Sequence, residues 1–103
     1  MTPFTEKVIT IIKNIPEGKV MTYGQIAALA GSPRAARQVV RILHSMSKMH
    51  RLPWHRVINS KGQIALKDDA SLNEQKLNLD IEGIVVSING TLDLSTYQWQ
   101  PTK

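Results

Sequence analysis

The sequence contains no cysteine. That single absence removes disulfides, thiolate nucleophiles and cysteine-ligated metals together. Also missing is any apolar run near the roughly 20 residues that a membrane span requires. Met1 to Glu6 shows no basic segment leading into an apolar block, so no secretory signal is expected and a cytoplasmic address is the default. Acid is absent from the middle of the chain: no Asp or Glu occurs between Glu17 and Asp68, where Lys19, Arg34, Arg37, Arg41, Lys48, Arg51, Arg56, Lys61 and Lys67 stand. The acids collect afterwards, at Asp68, Asp69, Glu74, Asp80, Glu82 and Asp93. A solvated basic face is the plain reading of one such cluster. Fifty residues without compensating acid favour a polyanionic partner instead.

What is present fits one small domain spanning 1–103, with a net charge of +5 and a hydrophobic fraction of 42%. Phe4, Val8, Ile11, Ile12 and Ile15 recur at helical spacing, with Thr2 as N-cap, Pro3 as first helical residue and Pro16-Glu17-Gly18 as the stop. Thr22-Tyr23-Gly24-Gln25 reads as a capping box, with Met21 and Ile26 placed for a hydrophobic staple. The short helix it opens runs to about Ala30 and stops at Gly31. Ser32-Pro33 is expected to start the next helix at once, continuing to about Ser47. Two helices across a Gly-Ser turn make a helix-turn-helix candidate. In the second, Ala36, Val39 or Val40, and Leu43 form an apolar stripe, while Arg34, Arg37, Arg41 and His44 form a basic one.

Beyond a loop over Met49 to Pro53, Arg56 to Ile58 and Gln63 to Leu66 read as short strands about a Lys61-Gly62 turn. A helix from Ser71 to about Glu82 follows, with Leu72, Leu77, Leu79 and Ile81 as its apolar content. Ile84 to Ile88 and Thr91 to Leu94 read as a hairpin about Asn89-Gly90. The expected class is an α-rich α/β fold: a winged-helix-like DNA-binding domain with a helix-turn-helix and small β-hairpins.

Pro53-Trp54-His55-Arg56-Val57 resembles the active-site motif of the O6-alkylguanine-DNA alkyltransferases, Pro-Cys-His-Arg-Val, with tryptophan in the cysteine position. Thr22-Tyr23-Gly24-Gln25-Ile26-Ala27 and Ala30-Gly31-Ser32-Pro33-Arg34-Ala35-Ala36-Arg37 resemble that family's helix-turn-helix, in order and register, and the resemblance covers roughly Phe4 to Gly83. A cysteine-free chain with tryptophan at that position is similar to the alkyltransferase-like proteins. Two departures stand out: Met46 occupies the family's asparagine hinge, and Ala65 to Ala70 replaces its glycine-rich lesion-side loop.

The resemblance implies a non-enzymatic sensor of O6-alkylguanine in duplex DNA, which flips the damaged base through a minor-groove helix-turn-helix and flags it for nucleotide excision repair. It implies no cofactor, no metal and no membrane partner, and a monomer at work on nucleoid DNA. Arg37 matches the family's intercalating arginine, Tyr23 the tyrosine that crowds the phosphate beside the target, and Trp54 would line the lesion pocket. Arg34, Ala35, Arg41 and Arg51, with Lys48, fall to the DNA backbone. His55 and Glu82 match a proton relay left with nothing to activate. Plainer readings stand beside these: Arg37 as a phosphate contact, Tyr23 and Trp54 as core aromatics, His55 and Glu82 as a structural pair. Chemistry adds an independent exclusion, because taking an alkyl group from O6 needs a soft nucleophile and the indole of Trp54 offers no comparable lone pair. An operator-reading winged-helix regulator is the alternative function, and an adaptor that has lost DNA binding a weaker third.

Overall fold

The computed structural model describes residues 2–64 and 68–101. Helix α1 spans Pro3–Lys13, and Thr2 caps it by accepting from the Thr5 N–H at 3.1 Å. Strand β1, Met21–Thr22, leads directly into α2, Tyr23–Leu29. The capping box forms as expected: the Thr22 hydroxyl accepts from the Gln25 N–H at 3.1 Å, and the Gln25 side chain accepts from the Thr22 N–H at 3.3 Å. Met21 and Ile26, the staple pair, are both fully buried.

The turn before the next helix is longer than expected. Ser32 does not cap it; the Ala35 N–H bonds to the Ser32 carbonyl instead, closing a turn with Pro33 at its second position. Helix α3 therefore begins at Ala36 and runs to His50, three residues beyond the expected end. It closes on Arg51 in the left-handed conformation (φ 52), with Leu52 N–H to Ser47 C=O at 2.9 Å and Arg51 N–H to Lys48 C=O at 3.4 Å. That two-bond closure normally uses glycine. Helices α1, α2 and α3 pack around Val8, Ile12, Met21, Ile26, Val39, Ile42 and Leu43, among others. Val39 is wholly buried and Val40 is 45% exposed, which settles which valine serves the core.

After α3 a 3-10 turn, Trp54–Arg56, enters β2, Val57–Ile58. The expected hairpin from Arg56 does not form. Strand β2 pairs in parallel with β1, Met21 against Val57 and Thr22 against Ile58, so both of its residues are buried. The proposed return strand turns elsewhere: Gln63 makes an isolated antiparallel bridge with Thr91, while Ala65 and Leu66 lie outside the described residues. Gly62 makes this pairing possible, since a Cβ there would sit 2.7 Å from the Leu92 carbonyl oxygen.

Helix α4, Asp69–Ile81, starts two residues early because Asp68 caps it, accepting from the Ser71 N–H at 2.9 Å. Only part of its apolar content is its inner face, where Leu72 also packs against the core. Leu79 is buried with Gln75, whereas Leu77 and Ile81 are exposed. The Asn89-Gly90 turn forms, with Ser87 N–H to Thr91 C=O at 2.8 Å, but its flanks do not become strands. Of the first flank Ile84 is buried and Val86 packs against the second core, while Val85 and Ile88 face solvent. Helix α5, Leu94–Tyr97, precedes a tail in which Trp99 N–H bonds to Val20 C=O, and Val20 N–H to Tyr97 C=O, beside β1. A second small core gathers Val20, Ile58, Ile64, Leu79, Ile84 and Leu92. The result is a small helix-rich α/β domain with a helix-turn-helix and a two-stranded sheet. No helix among the described residues is long and apolar enough to cross a membrane.

Candidate nucleic-acid interface

The outer face of α3 is cationic. Arg37, Arg41, His44 and Lys48 are exposed along it, with Arg34 on the preceding turn and Arg51 at the close. Among the described residues both ion pairs go to Glu82, from His55 and Arg56, so none of these arginines and lysines has an acidic partner. An uncompensated stripe of this kind repels itself unless a polyanion covers it. Arg34 and Ala35 line a shallow depression with Gly31, Ser32, Pro33 and Gln38, at the mouth of the helix-turn-helix.

Beside the stripe lies a cavity of about 270 Å³ lined by Tyr23, Val40, Leu43, His44, Ser47, Trp54, Ser71 and Gln75. Each wall has a local cause. Tyr23 is the first residue of α2, held by the capping box one residue earlier. Trp54 opens the 3-10 turn, anchored by Trp54 N–H to Leu52 C=O at 2.8 Å and Arg56 N–H to Pro53 C=O at 3.0 Å. Gln75, only 3% exposed, donates from Nε2 to the His55 carbonyl at 3.1 Å and the Val57 carbonyl at 3.2 Å, fixing that turn from the α4 side. Burial pushes the Tyr23 phenol above its ordinary pKa. Both aromatic rings also pack against the main core, so their core role and their cavity role coexist.

His55 and Glu82 belong to a different constellation. His55 Nε2 lies 2.7 Å from Glu82 Oε2, and Arg56 donates to the same carboxylate from Nε at 3.0 Å and from Nη2 at 2.6 Å. The Gly18 N–H adds a bond to Oε1 at 3.1 Å, and Arg56 Nη1 reaches the Ile15 carbonyl at 2.8 Å. Burial disfavours the Glu82 charge, but the bonds from Arg56, His55 and Gly18 outweigh it and hold the carboxyl down at about 2. Neither His55 nor Glu82 lines the cavity. The network ties α4, the 3-10 turn and the end of the first helical segment together.

Of the residues singled out in the sequence, Tyr23 and Trp54 meet in the cavity, and Arg34, Ala35, Arg37, Arg41 and Arg51 lie on or flank the α3 face. Val40, Leu43, Ser47, Ser71 and Gln75 were not singled out for the site. The one signal available was spacing: Ser71 and Gln75, four apart, share a helix face with little apolar content between them. Ala65 to Lys67 of the lesion-side loop lie outside the described residues. Among the described residues no group of three or more His, Asp or Glu is arranged to hold a metal ion.

Residues 3–84 match the family described as 6-O-methylguanine DNA methyltransferase, DNA binding domain. The chain is 46% identical over 101 residues to a DNA base-flipping protein of Vibrio parahaemolyticus, covering 98% of this chain and 100% of that one. It is 40% identical over 106 residues to Alkyltransferase-like protein 1 of Schizosaccharomyces pombe, covering 98% of each. The crystal structure of S. pombe Atl1 in complex with damaged DNA containing O6-carboxymethylguanine superposes with a TM-score of 0.85 at 40% identity, again over 98% of both chains. Mycobacterium tuberculosis OGT in complex with DNA is more distant, with a TM-score of 0.64 at 28% identity over 81% of this chain and 50% of that one.

Proposed function

This chain belongs to the 6-O-methylguanine DNA methyltransferase DNA-binding-domain family, in its alkyltransferase-like branch, and we propose that it senses O6-alkylguanine in duplex DNA without repairing it. The observation that carries the reading is the adjacency of an uncompensated cationic helix face and a cavity walled by Tyr23 and Trp54. The cations of α3 take the phosphates, and Arg37 enters the stack in place of a nucleotide rotated into the cavity. Flipping costs a few kcal/mol, least for a weakly paired damaged base, so the step itself biases selection toward lesions. Tyr23 crowds the backbone beside the target, and its protonated phenol is available to donate to the base. Trp54 receives the base or its adduct, an aromatic contact worth on the order of 1–3 kcal/mol.

The chain holds no thiol to accept an alkyl group, so the lesion remains on the DNA and recognition is its whole task. We assign the following step to nucleotide excision repair proteins, which would read the distorted complex. Affinity for an O6-methylguanine duplex against its unmodified twin, measured at several salt concentrations, tests the proposal. A clear preference for the lesion, with no alkyl mass gained by the protein, is the expected result. Equal affinities at moderate salt would sink it.

A further inference from the structure

The cavity wall is mainly apolar, from Tyr23, Val40, Leu43 and Trp54, with a smaller polar part from His44 and Ser47 on α3 and Ser71 and Gln75 on α4. Among the described residues no acidic side chain lines it. His44 belongs to the basic stripe with Arg37 and Arg41 and also lines the cavity, so it stands where the two meet. It stands seven residues after Arg37, two helical turns or roughly 10 Å along the same face. A ring there borders the cavity itself.

We propose that His44 is a specificity-determining residue of this cavity, selecting O6 substituents that end in a hydrogen-bond acceptor, a carboxylate above all, over alkyl groups of the same shape. This inference rests on the reading above that the cavity receives the flipped base. A methyl group needs only the apolar part. A substituent with a polar end must replace the water it gives up, and the described polar lining offers an imidazole N–H and serine hydroxyls without a competing carboxylate. A charge-assisted bond of this kind is worth roughly tenfold or more in affinity.

Two duplexes separate this role from simple phosphate binding: one carrying O6-carboxymethylguanine, the other O6-isobutylguanine, its neutral isostere. Their backbones are identical, so any phosphate contact cancels in the ratio of dissociation constants. The wild-type protein is expected to favour the carboxymethyl duplex by roughly tenfold. His44→Ala and His44→Phe should bring that ratio close to one, His44→Gln should keep part of it, and all three should retain the preference for O6-methylguanine over guanine. Because His44 is exposed, these variants keep the fold. A ratio unmoved in the Ala and Phe variants, including the case where every duplex weakens by one common factor, overturns the proposal. Absence of any methyl preference in the wild-type protein overturns both this inference and the reading beneath it.

Discussion

Arg51 is a non-glycine residue held in an unfavourable backbone, and its proposed phosphate contact gives the strain a use. The left-handed conformation costs a non-glycine residue about 1–2 kcal/mol, yet α3 ends on arginine at φ 52. Arg51→Gly relieves that strain and gives back only about 0.5–1 kcal/mol in backbone entropy. The variant is therefore expected to be more stable by up to about 1 kcal/mol in urea denaturation, and to bind duplex more weakly. Arg37→Ala should lower affinity for a lesion duplex by on the order of tenfold, through loss of the side chain proposed above to fill the stack. Its circular dichroism and melting should be unchanged, because Arg37 is exposed. Glu82 gives a prediction in pH. Its carboxyl titrates at about 2 in the folded protein, below the 4.5 of a free glutamate, so it contributes stability that is fully present above pH 4.5 and is lost as pH falls toward 2. The contribution is on the order of 2 kcal/mol once solvent screening is allowed for. Urea midpoints between pH 6 and pH 2.5 should fall by a corresponding amount, and Glu82→Gln should lack this part of the drop.

The elements divide by whether their ends carry a chemical signature. Thr2 with Pro3, and Thr22 with Gln25, are side chains that satisfy helix-end donors, and both helices begin where those residues say. Thr22→Ala should therefore cost about 1 kcal/mol, lowering Tm by roughly 4–8 °C in a domain of this size, and should disturb Tyr23 along with it. Pro33 was ambiguous for a physical reason, since a fixed φ near −65° serves the first residue of a helix and the second residue of a turn equally well. The turn won, and α3 moved three residues along. Strands of two residues carry no periodicity, so the parallel pairing of Met21 and Thr22 with Val57 and Ile58 had no local trace. In α4 the leucines promised an inner face, but the carbonyls of the 54–57 turn needed a donor, and Gln75 took the buried position. Within the cavity, the aromatic residues were visible through their motifs, whereas Val40, Ser47, Ser71 and Gln75 enter only because α3 and α4 face each other across the 3-10 turn.

At the scale of the whole molecule, charge is segregated. The basic stretch supplies the α3 face, and the acids of the C-terminal third lie outside it. If Arg34, Arg37, Arg41, Lys48 and Arg51 all meet phosphates, log Kd should change with log salt with a slope of about 4 to 5 in magnitude. The slope should be nearly the same for lesion and unmodified duplexes, because the adduct alters the cavity contact and not the backbone count. Slopes differing by more than about one would mean that the lesion recruits extra phosphate contacts. The four-residue sheet has its own bearing on this division of labour. Tyr23 follows β1 directly and Trp54 stands just ahead of β2, so two ladder rungs act as a caliper between the rings. Those rungs join segments 36 positions apart, a closure that comes late in folding relative to the local helices. A chain arrested with its helices made and its rungs open would still cling to a duplex, yet be blind to what the duplex carries.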